Sequence, residues 1–383
     1  MNLCMHRALV VVVSLALVVP ACTSPPIRPR TARVVDVDAD VGERDFARGP
    51  ATKVPLDGGG CVRVLSIDGG GMRGIIPALV VAELERRTGR PAADLFDLVV
   101  GTSTGAVLAL GLSKGGAAHT AREIANFYDR EGAAIFSTGF ATIVSLGGFL
   151  GPKYSSRGLE QALERHFADT WIAEARTLVE IPAYEIEDHK HFFFQSDVHS
   201  VLMRDVARAA TAAPAYFPPV TLPVDRRVNG KGYVALIDGG VFANNPAPYA
   251  LAAASRVRPD SRDVLLVSLG TGAVPLPMPY AQASAWGLLQ WARPLITLLF
   301  TDHGVDEAFR HFVPPGRYFR FQADLGGVRR PLDDASADNV RLLRRQAEML
   351  IETKADELTD LARRLQLERP AGCVPRRTTR ASP

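Results

Sequence analysis

The chain has 383 residues, of which 47% are hydrophobic and 22% carry a charge, and its formal net charge is +3. This composition provides enough apolar side chains for a large core and excludes a chain that is disordered throughout. Because the net charge is small and no basic stripe or known nucleic-acid motif is present, nucleic acid is not an expected partner.

The first residues are typical of an export signal. Met1–Arg7 is short and weakly basic, and residues 8–19 are apolar apart from one serine. This run is shorter than the ~20 apolar residues that span a bilayer, so it predicts a signal peptide over residues 1–21. Cleavage before Cys22 would leave that cysteine as the lipidated first residue of a bacterial cell-envelope lipoprotein. Pro20 is unusual in such a cleavage box and leaves open ordinary cleavage to a periplasmic or secreted protein.

The rest of the chain divides into three parts. Residues 22–57 predict a flexible tether, residues 58–366 a folded domain, and the basic residues 367–383 a disordered tail. Cys61 and Cys373 would be the two ordinary thiols of the exported protein. Export permits a disulfide between them, and a buried thiol at Cys61 is the alternative.

Strand-like and helical segments alternate along the folded domain. Residues 61–67 alternate as a strand, and a helix with an apolar stripe follows and ends at Gly89. Residues 95–100 predict a second buried strand, with a helix over residues 106–112 behind it. Further strands are expected at residues 178–184, 191–195, 233–237 and 264–269, and one amphipathic helix over residues 337–365. This order predicts an α/β fold with a mainly parallel central sheet flanked by helices.

A glycine-rich loop, Asp68-Gly69-Gly70-Gly71-Met72-Arg73-Gly74, joins the first strand to its helix. Consecutive glycines before a helix expose backbone N–H groups that can hold an anion or the oxyanion of acyl transfer. The spacing of Gly69, Gly71 and Gly74 also satisfies a dinucleotide-binding pattern. That interpretation is weak, because no clean acidic strand end follows about 20 residues later.

The second strand runs into Gly101-Thr102-Ser103-Thr104-Gly105. A Gly-x-Ser-x-Gly sequence between a strand and a helix is typical of a nucleophile elbow, because small flanking residues permit the sharp turn that exposes the serine hydroxyl. Ser103 is therefore the candidate nucleophile. The alternative is a glycine-rich loop that only closes a strand–helix unit.

Two residues compete for the role of the base that activates Ser103. No histidine after Ser103 lies in an obvious loop after a late strand, and His303 is the least implausible of them. Asp238 follows the strand at residues 233–237 and opens Asp238-Gly239-Gly240. A carboxylate there can act as a base or cap the next helix, and from Asp238 alone the capping role is favoured.

These three motifs, in this order, resemble those of the patatin-like phospholipase family. The similarity to plant patatins and their bacterial relatives continues through four further stretches and covers residues 61–355; these stretches are Lys153-Tyr154-Ser155 and residues 209–219, 268–272 and 332–336. The resemblance implies a three-layer patatin-like catalytic domain within residues 58–366.

The resemblance also implies an activity, that of a lipid acyl hydrolase of phospholipase A, lysophospholipase or esterase type. In such an enzyme Ser103 would attack the ester carbonyl, Asp238 would be the general base, and Gly69, Gly70 and Gly71 would donate to the oxyanion. Arg73 would support the loop or the phosphate of the lipid, and neither a metal nor another cofactor would be needed. The alternatives are a Ser-His-Asp esterase of the α/β-hydrolase type and a lipid-binding lipoprotein with an idle site.

Two apolar segments could receive acyl chains or contact a membrane surface. They are residues 136–150, rich in Phe, Ile, Val and Gly, and residues 286–300, which contain two tryptophans and an arginine. Burial in the core is the favoured alternative for both.

Overall fold

The computed structural model describes residues 61–114, 120–137, 151–224, 229–259, 263–273, 278–287, 290–291, 294, 298, 304–326 and 331–367. The predicted signal peptide, Cys22, the tether, His303, Cys373 and the tail beyond residue 367 lie outside these residues. So do most of the two apolar segments. Within the described part of the chain, none of the helices combines the length and the apolar character that crossing a membrane requires.

Eight strands of the described residues form one mixed sheet. Their bounds are β1 (Val62–Ile67), β2 (Leu98–Gly101), β3 (Leu178–Glu185), β4 (Lys190–Gln195), β5 (Val220–Pro223), β6 (Tyr233–Asp238), β7 (Val264–Leu269) and β8 (Tyr318–Phe321). The strands β3, β2, β1, β7 and β8 lie side by side in this order and are parallel. The strands β4, β5 and β6 pair antiparallel on one side of the sheet. The predicted α/β fold with a parallel centre is confirmed.

Helices cover both faces of this sheet. Their bounds are α1 (Ile75–Thr88), α2 (Ala92–Leu95), α3 (Thr104–Ser113), α4 (Ala121–Ile135), α5 (Arg157–Phe167), α6 (Met203–Ala210), α7 (Gly240–Ala243), α8 (Ala247–Val257), α9 (Tyr280–Ala283), α10 (Val305–Phe312), α11 (Ala337–Thr353) and α12 (Ala355–Leu367). Because side chains alternate along a strand, Leu65 and Ile67 of β1 enter one apolar cluster with α1, α3 and α4. Val62 and Val64 enter a second cluster with α8 and α10. Burial on both faces produces three layers.

Two predicted segments differ from the structure in their bounds. The strand expected over residues 95–100 begins only at Leu98, because residues 92–95 form the short helix α2. The single helix expected over residues 337–365 is two helices, α11 and α12, separated at Lys354. The chain leaves helical geometry there although the apolar stripe continues, and both helices pack on α1.

The strands β2 and β6 meet end to end along one edge of β3. On the opposite edge, β4 pairs with residues 180–185 of β3. This leaves one edge for β2, which pairs parallel with residues 178–180, and for β6, which pairs antiparallel with residues 183–185. The two strands therefore run towards each other and end at Gly101 and Asp238. The turn after β2 and the last residue of β6 face each other across a gap of two β3 residues.

The turn after β2 also lies against the backbone of β1. A Cβ atom at Gly105 would lie 2.4 Å from the carbonyl oxygen of Ile67 and 2.9 Å from that of Asp68. Backbone atoms cannot move aside as a side chain can, so only glycine allows α3 to start this close to the end of β1.

We predict that Gly105→Ala destabilises the protein by roughly 3 kcal/mol, the upper end for an overpacked site. Gly111→Ala in the same helix is the matched control, because a Cβ there would meet only the side-chain end of Ile124, 2.8 Å from its Cδ1 atom. Denaturant unfolding of both variants measures the difference. A Gly105→Ala variant as stable as Gly111→Ala would contradict the close approach.

Candidate active site

Ser103 lies at the apex of the turn between β2 and α3. Its backbone has φ 54° and ψ −119°, a left-handed φ that a non-glycine residue rarely adopts and that costs on the order of 1–3 kcal/mol. The turn is held on either side of the serine: Thr102 N–H donates to Ile67 O at 3.1 Å, and Gly105 N–H donates to Thr102 O at 2.7 Å. The strain is thus imposed by the surrounding backbone, as a nucleophile elbow requires.

Asp238, the last residue of β6, is completely buried. Its Oδ1 atom accepts a hydrogen bond from Gly240 N–H at 2.8 Å. Its Oδ2 atom is buried and accepts no hydrogen bond of ordinary geometry from the described residues, although the Ser103 hydroxyl is close enough to influence the carboxylate. One carboxylate oxygen therefore holds the turn into α7, whose N-cap residue is Gly239 rather than Asp238. The other remains available for chemistry.

Burial controls the acidity of Asp238. Removal from water raises the pKa of this carboxyl to about 7, and the nearby Ser103 hydroxyl and the hydrogen bond from Gly240 N–H oppose the rise. The group therefore changes its charge near neutral pH, where an ordinary aspartate is fully ionised. A carboxylate of this basicity beside a serine hydroxyl is able to accept its proton.

The backbone N–H groups of the glycine loop have different partners. Gly69 N–H donates to Asn244 O at 3.0 Å, and Met72 N–H donates to Leu332 O at 2.8 Å. In the part of the chain that the structure describes, no acceptor is found for the N–H of Gly70 or Gly71. Gly69 was predicted as an oxyanion donor, and this is corrected, since its N–H is used inside the protein. The predicted role is left to Gly70 and Gly71.

Contacts that the sequence did not indicate join the glycine loop, the elbow and the loop after Asp238. The Thr102 hydroxyl donates to Ala243 O at 2.6 Å, one residue before the Asn244 carbonyl that binds Gly69. On the other side of the loop, the Thr271 hydroxyl donates to Gly69 O at 2.7 Å. In the sequence, these contacts were marked only by the glycine- or asparagine-rich segments in which Thr271 and Asn244 lie.

An apolar cavity opens at Ser103. It contains about 770 Å³ of empty space, counting the part open to solvent. Its polar end is formed by Ser103, Gly70 and Gly71, and its walls by α4, α5 and the segments around Tyr216 and Leu332; the apolar lining includes Met72, Val107, Phe127, Ile135, Phe136, Leu159 and Phe217. Phe136, the first residue of one predicted apolar segment, therefore contacts this cavity. The cavity has the character of a site for a hydrocarbon chain.

Comparison with known proteins identifies the family. The model of the family described as "Patatin-like phospholipase" matches residues 65–251. The chain is 31% identical over 333 residues to Patatin-11 of Solanum tuberosum, covering 76% of this chain and 84% of that protein. It is 32% identical over 340 residues to Patatin-like protein 2 of Arabidopsis thaliana, covering 76% and 83%. The chain belongs to the patatin-like phospholipase family.

Family membership supports lipid acyl hydrolysis as the class of activity. The family alone does not show that a given member is active. The chain is also 30% identical over 338 residues, covering 78% of this chain and 88% of that protein, to "Probable inactive patatin-3-Kuras 1" of Solanum tuberosum. Evidence that this member is catalytic must therefore come from the residues at its site.

Arg73 lies in the short helical turn at the end of the glycine loop and is half-buried. Burial lowers the pKa of its guanidinium, and the hydroxyl of Tyr216 opposes this. Arg73 lines a small cleft with Leu325, Pro331 and residues of α11, and the described lining of the Ser103 cavity does not include it. Its surroundings fit the predicted support of the loop better than direct contact with a lipid phosphate.

Three of the described histidine side chains have partners other than Ser103. His191 stacks on Phe242 with ring centroids 4.0 Å apart, His166 contacts the edge of Phe127, and His199 Nδ1 accepts from Gln195 N–H at 2.9 Å. None of the described histidines lines the cavity. Among the same residues, no cluster of three His, Cys, Asp or Glu side chains could hold a metal ion.

The buried Asp238 makes stability depend on pH with a definite sign. Its pKa in the folded protein, about 7, lies above the ordinary value of 3.8, so the folded state binds the proton more tightly and loses stability as pH rises between these values. We predict that Asp238→Asn is stabilised relative to wild type at pH 8.5, by ~4 kcal/mol at most, and little changed at pH 4.5.

Thermal unfolding of both proteins at the two pH values measures this effect. Asp324→Asn is the matched control, because Asp324 accepts the same type of bond, from Gly326 N–H at 2.8 Å, but is exposed. An Asp238→Asn effect that is equal at both pH values would show that the carboxylate is not titrating near neutrality.

Proposed function

We propose that this protein is a lipid acyl hydrolase in which Ser103 and Asp238 form a catalytic dyad. The observation that carries the proposal is the buried Asp238 Oδ2, which lacks a hydrogen bond of ordinary geometry and lies beside the hydroxyl of a strained serine at the mouth of an apolar cavity. A buried carboxylate oxygen without a fixed partner is costly, and functional sites are where such a cost is retained.

In the acylation step, Ser103 Oγ bonds to the ester carbonyl carbon while its proton moves to Asp238 Oδ2. The carbonyl oxygen becomes an oxyanion and accepts hydrogen bonds from Gly70 and Gly71 N–H, each of which contributes roughly 2.7–4 kcal/mol at the transition state. The tetrahedral intermediate then breaks the bond to the alcohol, which leaves with the proton from Asp238. Ser103 keeps the acyl group.

Deacylation repeats the same steps with water. Asp238 takes a proton from water as the oxygen bonds to the acyl carbon, and Gly70 and Gly71 again stabilise the oxyanion. The bond to Ser103 Oγ breaks, Ser103 recovers the proton, and a fatty acid leaves. A base with a pKa of about 7 can both accept and return a proton near neutral pH, so the dyad needs no histidine.

The apolar cavity supports a fatty acyl ester as the substrate. Burying a hydrocarbon chain contributes ~0.8 kcal/mol per CH₂ group, so the cavity favours long acyl chains over short ones. Phospholipid, lysophospholipid and neutral ester remain the proposed substrate types. If the predicted export signal and Cys22 anchor operate, the enzyme would meet these lipids at the cell envelope.

The second candidate function is a Ser-His-Asp esterase through His303. No observation on the described residues favours it, and His303 itself lies outside them. The two mechanisms differ in which residue accepts the serine proton, so the same substitutions test both.

We predict that Ser103→Ala and Asp238→Asn each lower kcat/KM for mixed phospholipids and neutral esters by at least about 10³-fold. His303→Ala and the exposed Asp324→Asn should stay within a few-fold of wild type. Released fatty acids and lysolipids, identified by mass spectrometry, are the readout. Loss of turnover in His303→Ala with retention in Asp238→Asn would favour the triad. Equal release by wild type and Ser103→Ala would overturn the mechanism.

A further inference from the structure

A buried ion pair lies directly before the glycine loop. Arg320 of β8 donates from Nη1 to Asp68 Oδ1 at 3.0 Å and from Nη2 to Asp68 Oδ2 at 2.6 Å. Each of the two side chains exposes only 3% of its surface. Asp68 follows β1 and is the first residue of the loop whose Gly70 and Gly71 N–H groups are the proposed oxyanion donors.

Arg320 reaches Asp68 across an intervening strand. Ser66, Ser268 and Arg320 are in register in β1, β7 and β8. Arg320 Nη1 also donates to the Ser268 hydroxyl at 2.8 Å, so β7, the strand between β1 and β8, helps to hold the guanidinium in place. Two parallel bonds from a planar guanidinium fix the orientation of a carboxylate as well as its distance. The ion pair therefore defines where the Asp68 side chain lies relative to the sheet.

A role in stability alone does not account for such a pair. Removing two charges from water is expensive, and a buried ion pair is often no more stabilising than apolar residues of similar size. What the pair does provide is a defined geometry at the base of the loop. The rest of the loop is fixed as well, since Asp68 N–H donates to Leu269 O at 2.9 Å, and Gly69 and Met72 are held by Asn244, Thr271 and Leu332.

We propose that Arg320 is a positioning residue for the oxyanion hole, and this rests on the proposed function. Through the two bonds to Asp68 it sets the start of the loop, and with it the direction in which Gly70 and Gly71 N–H point. It also neutralises a carboxylate two residues from Gly70, where an unpaired negative charge would oppose the developing oxyanion. Arg320 itself does not belong to the described lining of the cavity.

The test separates positioning from stability with three variants. Arg320→Met removes the guanidinium that binds the buried Asp68 carboxylate and is expected to be unstable. The double variant Asp68→Asn/Arg320→Met removes both charges and is expected to regain much of the thermal midpoint. The control is Arg63→Met, since Arg63 is equally buried in β1 and donates to Leu365 O at 2.8 Å, far from the loop.

The expected result for the double variant is a kcat on p-nitrophenyl octanoate lowered by about 10²-fold or more, the size of effect seen when an oxyanion donor is lost, with KM within about threefold of wild type. Arg63→Met should lose stability while its kcat stays within about twofold. A double variant whose kcat returns to within threefold of wild type would overturn the proposal, because stability would then be all that the pair provides.

Amide hydrogen exchange over residues 68–72 gives a readout that does not depend on turnover. Faster exchange there in the double variant, with unchanged exchange in Arg63→Met, is expected if the ion pair sets the loop. Exchange as slow as in wild type would overturn the proposal. If wild type fails to hydrolyse the ester, or Ser103→Ala hydrolyses it equally well, the proposed function fails, and the exchange measurement still decides the role of Arg320.

Discussion

The pairing of β2 and β6 with the same edge of β3 is the constraint on which the site depends. Because the two strands run towards each other, the turn after β2 and the end of β6 meet, although Ser103 and Asp238 are far apart in sequence. The strand β1 lies beside β2 and delivers the glycine loop to the same place. Three loops thus converge, and glycine is required at position 105 to approach the end of β1 and at position 239 to approach Pro182 of β3.

The same convergence explains the electrostatics of the site. Asp238 is enclosed by its neighbours, so its carboxylate is desolvated and its pKa rises towards neutrality. Asp68 is equally buried, but its negative charge is compensated, because Arg320 donates two hydrogen bonds to its carboxylate. The Asp238 carboxyl has a raised pKa and the Asp68 carboxylate is held by a guanidinium, and the difference lies in whether a cation reaches the carboxylate. Burial alone would not distinguish the two.

Local patterns were sufficient to predict the central elements. Apolar alternation and turn glycines located the strands around Ser103 and Asp238, and the motifs brought the glycine loop into the same hypothesis. The strands β5 and β8 escaped prediction because each has four residues, too few for a clear alternation, and neither has the continuous apolar run that marked β2. The break at Lys354 also gave no signal, since the apolar stripe continues through it.

Contacts between distant segments could not be predicted from the sequence. Excluding Gly69 as an oxyanion donor requires knowing that its N–H faces the Asn244 carbonyl. Finding that Arg320 reaches Asp68 requires knowing the order of β1, β7 and β8. Both depend on strand order, which no local pattern contains. The signal peptide, Cys22 and the Cys61–Cys373 disulfide stay predictions.

The central claim is that Ser103, Asp238 and the N–H groups of Gly70 and Gly71 act on one acyl carbonyl. The most direct measurement is a crystal structure of the protein after reaction with a long-chain alkyl fluorophosphonate. We predict an adduct on Ser103 Oγ, a phosphoryl oxygen about 3 Å from the nitrogens of Gly70 and Gly71, and the alkyl chain in the apolar cavity. An unmodified Ser103, or a phosphoryl oxygen directed away from both glycines, would contradict it.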